Sequence, residues 1–243
     1  MVELVYTPRW FYGKDIIIDI AVIVVLSLIA FFGFTYYRMN RKRTHLYLGY
    51  SFTLLALSFV SKILTYFTVY YYGFFTRELG DFVVTYTKLV PSHTTFLVGF
   101  FLYRLFMLFG LYILYTIYQK ESKTTSFFIM FLFVVMIYFA RWSYFLFHLT
   151  AAVLMVMVTM KFFLNNRKKI PTAVRRLRGW STQLHPMLIF SSFCIITLSH
   201  VIFVFIRVHT ILYVVAEFVQ LGGFILLLAT FVSVLIHGKT RKD

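Results

Sequence analysis

Charged residues, and acidic residues above all, are scarce in this sequence. Charged side chains make up 13% of the 243 residues, and only 8 residues are acidic against 24 basic ones. A soluble domain carries roughly 25% charged residues. Here 61% of the residues are hydrophobic, and the mean hydropathy is +0.84. This balance excludes a water-soluble globular fold and predicts an integral membrane protein.

Cysteine, proline and catalytic motifs are also scarce. Cys194 is the only cysteine, which excludes an intrachain disulfide and a cysteine-rich metal site. No GxSxG motif, phosphate-binding glycine loop or carboxylate pair spaced for acid–base catalysis occurs, so we expect neither an enzyme nor a cofactor. The prolines are expected in loops or at helix ends, which argues against the broken helices of many transporters. They are Pro8, Pro91, Pro171 and Pro186.

Long apolar runs, by contrast, are abundant. A hydrocarbon core of about 30 Å requires roughly 20 residues of helix. Seven segments meet this length, at about 15–37, 46–72, 94–118, 125–141, 143–164, 184–208 and 210–236. Only "ARWS" separates the fourth from the fifth, and only "RVHT" the sixth from the seventh. We predict an all-α fold, a single domain over residues 1–243 that forms a bundle of seven transmembrane helices.

The basic residues predict the orientation of this bundle. Four segments on one side of the predicted topology carry 15 of the 24 Lys and Arg residues. Basic loops face the cytoplasm, so we expect a multi-pass cell-membrane protein with its N-terminus outside and its C-terminus inside. These flanking residues explain the net charge of +16 without a nucleic-acid partner.

The most basic inner loop, residues 165–180, is predicted to be an interaction surface. We expect it to bind anionic lipid head groups or a cytosolic or membrane protein partner. Its cationic residues are Arg167, Lys168, Lys169, Arg175, Arg176 and Arg178. On the other side, the longest outer loop, 73–93, is expected to cover the bundle. Its "FVVTYT" stretch leaves a short strand or hairpin as the alternative.

Six ionisable candidates for buried polar groups lie well inside the predicted spans, all in the outer half of the membrane. Charged groups at such depths face the bundle interior and find partners there, because lipid offers none. The six are Asp19, Lys62, Arg104, His148, His200 and Glu217. On the last helix, Tyr213, Glu217 and Gln220 share one face. We expect Glu217 to pair with Arg104 or Lys62, either as a polar site or as a structural ion pair. Lys62 and Asp19 have the alternative of reaching toward an interface.

Metal binding is a further alternative for this set. His148, His200 and Glu217 would supply two imidazoles and one carboxylate to zinc or iron. His148 and His200 could instead hold a haem between them.

The stretch "AEFVQLGGFILLL" is similar to the seventh helix of microbial rhodopsins. The resemblance places Glu217 at the acid that precedes the retinal lysine by four residues, and Arg104 resembles the arginine of helix three. Leu221 stands at the lysine position, so the resemblance implies no Schiff base to retinal. The topology also resembles the seven-helix input modules of prokaryotic sensor kinases, without a kinase domain after it.

Together these features predict a receptor or sensor-like membrane protein. Its polar pocket in the outer half of the membrane would bind a small or lipophilic ligand. A proton-coupled secondary transporter of a small solute is the first alternative. A membrane metal or haem protein that uses His148 and His200 is the second.

Overall fold

The computed structural model describes most of the chain, with gaps at several connections. The described residues are 7–11, 13–70, 75–79, 82–86, 91–118, 127, 129–131, 133–134, 144–169, 180–206 and 208–239.

Six long α-helices make up most of the described chain. A one-turn 3-10 helix, Arg9–Phe11, precedes them. The helices are α1 (Lys14–Asn40), α2 (Arg43–Tyr70), α3 (Pro91–Tyr118), α4 (Tyr144–Lys169), α5 (Trp180–Val204) and α6 (Ile211–Lys239). Each contains a segment long and apolar enough to cross a membrane. The prediction of a helical, multi-pass membrane protein is confirmed.

The fourth predicted span, 125–141, lies mostly outside the described residues, and so does the "ARWS" joint. Its described residues, 127, 129–131 and 133–134, are helical. Phe133 among them is buried and packs edge-on against Phe109 and Tyr112 of α3. At the "RVHT" joint the chain leaves α5 after Val204 and starts α6 at Ile211, so two helices meet there.

Helices α3 and α4 run in the same direction. Tyr103, near the middle of α3, packs on Phe147 in the first turn of α4. At the other end, Tyr118 packs on Phe162, and the amide of Asn165 donates a hydrogen bond to the Tyr118 carbonyl at 2.9 Å. Both helices therefore begin at the same end of the bundle.

The connection between α2 and α3 contains a β-hairpin. Strand β1 (Phe75–Leu79) pairs antiparallel with β2 (Phe82–Tyr86), with Phe75 opposite Tyr86. The strand alternative for the 73–93 loop is therefore present, and its position over the bundle stays a prediction. Aromatic and β-branched residues favour the extended backbone that β2 adopts.

Pro186 lies inside α5, so the expectation that every proline sits in a loop or at a helix end is wrong for this residue. The helix begins at Trp180, before the apolar run that defined the predicted span. Hydrophobicity marks the part of a helix that can enter lipid, whereas the hydrogen-bonded helix extends beyond it. Pro186 lacks the N–H that would bond the carbonyl one turn earlier, which weakens the first half of α5.

Small residues let α1, α2 and α3 approach one another closely. A Cβ atom on Gly33 of α1 would lie 2.9 Å from the backbone nitrogen of Gly49 on α2. The Ser51 hydroxyl of α2 donates a hydrogen bond of 2.7 Å to the carbonyl of Gly110 on α3. Close backbone contact of this kind supplies packing energy where lipid removes the hydrophobic drive for helix association.

Candidate functional site

The bundle contains two hydrophobic clusters. The main cluster includes Phe59, Ile196 and Phe224, and a smaller end cluster includes Phe11 and Tyr213. The end cluster lies at the end of the bundle where α1 and α6 begin.

The six ionisable residues form a polar layer, one from each helix. On α1, α2, α5 and α6 the ionisable residue lies along the helix between members of the two clusters. Every residue of the layer exposes at most 4% of its surface. They are Asp19, Lys62, Arg104, His148, His200 and Glu217.

Lys62 joins three helices within this layer. Its Nζ atom lies 2.9 Å from Asp19 Oδ1 on α1 and 2.5 Å from Glu217 Oε1 on α6. Of the two partners expected for Glu217, the structure has Lys62. Neither Asp19 nor Lys62 reaches toward an interface, because the ammonium is more favourably placed between two carboxylates. We call these three residues the triad.

Aromatic rings surround the Lys62 ammonium. Its Nζ lies 5.4, 5.6 and 6.0 Å from the ring centroids of Phe59, Tyr66 and Tyr213, within the range of cation–π attraction. The hydroxyls of Tyr66 and Tyr213 are hydrogen-bonded to each other, and Phe11 packs edge-on against Tyr213. These rings cover the triad on the side of the end cluster.

Two residues of the site were not among the sequence candidates. Tyr66 follows Lys62 by four residues, and Asp15 precedes Asp19 by four; both are buried. That spacing places each pair on one helix face and could have identified them. Asp15 is the first residue of the predicted span, where hydropathy alone does not indicate burial. Its carboxylate accepts a 3.0 Å hydrogen bond from the backbone N–H of Ile16.

Arg104 stacks on aromatic rings at its place in the layer. Its guanidinium carbon lies 3.7 Å from the ring centroid of Phe100 and 5.5 Å from that of Phe147. A planar, weakly hydrated guanidinium is suited to stacking of this kind.

His148 and His200 contact each other directly. Their Nδ1 atoms lie 3.2 Å apart, so one neutral imidazole donates and the other accepts. Phe203 stacks on the His148 ring at 4.5 Å between centroids. This hydrogen bond links α4 to α5.

This geometry does not fit the metal and haem alternatives. Within the described part of the chain, no three His, Cys, Asp or Glu residues lie close enough to hold a metal ion. The expected partner of the imidazoles, Glu217, is bonded to Lys62 instead. Two imidazoles on opposite faces of a haem iron need nitrogens about 4 Å apart with the macrocycle between them. The contact between His148 and His200 leaves no such space.

Three buried polar atoms near the triad have no hydrogen-bond partner among the described residues. They are Asp19 Oδ2, Glu217 Oε2 and Gln220 Nε2. The other carboxylate oxygens of Asp19 and Glu217 are bonded to Lys62, but these three atoms remain unsatisfied inside the polar layer. Buried groups of this kind raise the free energy of the state that contains them.

A cavity borders the layer at His200. Its volume is about 10 Å³, and the rest of its lining is apolar, with Met107, Met155, Phe193 and Phe224 among the wall residues. A cavity of this size holds at most one water molecule. This cavity therefore does not provide the open ligand pocket that the sequence predicted for the outer half of the membrane.

The predicted basic interaction surface falls largely beyond the described chain. Arg167, Lys168 and Lys169 form the last turn of α4. Arg175, Arg176 and Arg178 lie outside the described residues.

Comparison with known proteins does not assign the chain to a family. It matches no protein-family model, no curated protein and no solved structure. The resemblance of the last helix to rhodopsins therefore remains a local one. At the lysine position, Leu221 packs against both hydrophobic clusters.

Proposed function

We propose that this chain is a seven-helix, sensor-like membrane protein in which the triad holds the resting arrangement of α1, α2 and α6. The observation that carries the proposal is Lys62, a single buried ammonium that bonds carboxylates from two other helices. A stimulus that redirects or neutralises one carboxylate would release one helix from the other two. The triad thus replaces the preformed ligand pocket as the element that responds.

The relative direction of α3 and α4 supports the seven-helix topology. Both helices begin at the same end of the bundle, so the chain between Tyr118 and Tyr144 has to return along its length. The helical residues 127, 129–131 and 133–134 and the contact of Phe133 with α3 support a span on that return. Seven spans put the termini on opposite sides, with the triad in the outer half of the membrane by the positive-inside rule.

The energetics of buried ion pairs favour a switching element over a purely stabilising one. Charges lose their hydration when buried, so a buried pair contributes less net stability than well-packed apolar groups of similar volume. Loss of one partner, however, costs much more, because a charge is left without compensation. A small chemical change at the triad therefore produces a large change in the energy of the closed arrangement.

Distance measurements between spin labels test the proposal. In a Cys194→Ser background, labels at the exposed residues Met39 of α1 and Leu164 of α4 report the separation of these helices at the end opposite the triad. We expect Lys62→Met to add a second distance population to that of the parent protein, because α1 loses its bond to α2.

Lys161→Met on α4 is the matched control, since it removes a lysine that is not part of the triad. It should leave the parent distance distribution unchanged. If Lys62→Met also leaves a single, unchanged distribution in folded protein, the triad is a static structural contact and the sensor proposal fails.

A proton-coupled transporter is the second candidate, and Pro186 within α5 favours it. A proline in a membrane helix frees a backbone carbonyl and permits a bend, as transporters require. Proton-driven solute uptake by proteoliposomes, lost in Glu217→Gln, would favour this function over the sensor.

A further inference from the structure

We infer that the triad binds one exchangeable proton, shared between the carboxylates of Asp19 and Glu217. The proton would be the stimulus that releases the helices, so the inference rests on the proposed function for its consequence but not for its chemistry. A proton from water converts one carboxylate to a carboxylic acid, and Lys62 keeps its bond to the other.

The triad carries an unbalanced charge. Two carboxylates contact a single ammonium, which leaves one negative charge in excess when all three groups are ionised. All three side chains are almost completely buried, so water cannot compensate this charge. Uptake of one proton makes the triad neutral.

The second oxygen of each carboxylate is available to bind a proton. Oδ2 of Asp19 and Oε2 of Glu217 are buried and have no hydrogen-bond partner among the described residues. An ionised carboxylate has acceptor sites on both oxygens, whereas a protonated one converts one oxygen to a hydroxyl. These two oxygens are the atoms that would take the proton, because the ammonium already occupies the other two.

Among the described residues, Lys62 is the cation that forms ion pairs with Asp19 and Glu217. On α1, Asp15 is buried one turn from Asp19 and adds negative charge. Tyr66 on α2, Tyr103 on α3 and Tyr213 on α6 are phenols, which are neutral near pH 7.

The two neighbouring helices contribute Arg104 and the imidazoles. The Arg104 guanidinium of α3 stacks on Phe100. His200 of α5 bonds His148 of α4.

The small size of the cavity beside His200 favours a proton over a larger ligand. The cavity beside His200 admits no more than one water molecule, and the aromatic rings of Tyr66 and Tyr213 cover the triad. Among the described residues, this cavity is too small for an organic ligand or an extended anion. A proton needs only transient access of water at the end cluster.

Infrared spectroscopy of the full chain in lipid nanodiscs tests the inference. A protonated carboxylic acid has a C=O stretch that a carboxylate lacks, and this band shifts in D2O. We expect one such band in the parent protein that disappears as the pH is raised. Asp19→Asn and Glu217→Gln, which keep the side-chain size, should each lose or shift it.

Glu78→Gln in strand β1 is the matched control, and it should leave the band unchanged. In Lys62→Met we expect a stronger band that persists to higher pH, because the carboxylates lose their positive neighbour. Circular dichroism verifies that each variant stays helical.

Three results would overturn the inference. The parent protein could show no carboxylic-acid band at any pH at which it remains folded, or a band that neither Asp19→Asn nor Glu217→Gln affects. Sodium chloride could abolish the band at constant pH where choline chloride does not, which would make the ligand a metal cation. A proton band without any spin-label distance change would retain the proton site and reject the sensor proposal.

Discussion

At the scale of the residue, Lys62 is the side chain that joins α1, α2 and α6 through ion pairs. One ammonium contacts two carboxylates and three aromatic rings contributed by α1, α2 and α6. The ring contacts join the polar layer to both hydrophobic clusters. Removal of Lys62 would therefore leave the negative charges of Asp19 and Glu217 to repel each other without a cation between them.

The stability of triad variants should report this charge repulsion. Lys62→Met leaves two buried carboxylates without their cation, and loss of one partner from a buried ion pair costs about 3–5 kcal/mol. We expect the triple variant Asp19→Asn, Lys62→Met, Glu217→Gln to recover part of that loss, because no charge then remains in the triad. Reversible unfolding in mixed detergent measures both free energies.

Lys161→Met serves again as the control and should change the free energy of unfolding by less than about 1 kcal/mol. Equal stability of Lys62→Met and the parent protein would contradict the prediction.

At the scale of the element, glycine positions control how closely α1 and α2 pack. A Cβ on Gly33 would meet the nitrogen of Gly49 at 2.9 Å and its Cα at 3.0 Å. These are backbone atoms, so the helices themselves would have to move apart. The glycine pair of α6 is different: a Cβ on Gly223 would meet Ile196 at 2.7 Å, whereas one on Gly222 would meet nothing within 4 Å.

Alanine substitutions test this difference. We expect Gly33→Ala to lower the free energy of unfolding by about 1–3 kcal/mol, because overpacking forces the backbone to shift. Gly222→Ala should be neutral or stabilising by up to about 1 kcal/mol, since alanine favours the helix and the space is open. Equal effects of the two substitutions in the same unfolding assay would show that the α1–α2 contact is looser than the structure has it.

At the scale of the whole molecule, the topology is the property on which the function depends. The parallel direction of α3 and α4 favours seven spans, and the basic residues between α1 and α2 favour an N-terminus outside the cell. In the proposed topology, the triad would lie in the outer half of the membrane and the basic segment after α4 on the cytoplasmic side. The proton-binding triad and the basic segment that would contact a partner would then lie toward opposite sides of the membrane.

Accessibility of the two termini tests this topology. We expect a tag before Met1 to react with a membrane-impermeant probe in intact cells, and a tag after Asp243 to react only after permeabilisation. In a Cys194→Ser background, Met39→Cys at the α1–α2 turn should behave like the C-terminal tag. Termini on the same side would require an even number of spans and would contradict the proposed topology.

Much of the fold could be predicted from the sequence, because membrane insertion depends on local composition. The free energy of transfer into lipid is nearly additive along a segment, so apolar runs identified all six described membrane helices. The same penalty predicted that Asp19, Arg104 and Glu217 turn inward, and the structure buries all three. It could not predict that α5 begins before Pro186, and it gave the strands at 75–79 and 82–86 only as an alternative, since both features lie outside the lipid-facing pattern.

The sequence alone determined which segments are helical and which side chains are too polar to face lipid, because both follow from the solvation of neighbouring residues. Only the tertiary structure decided that Lys62, and not Arg104, bonds Glu217, and that His148 meets His200 without room for a metal macrocycle. Such pairings depend on the rotation and height of each helix relative to the others. Packing of whole helix faces sets these quantities, and no single segment encodes them.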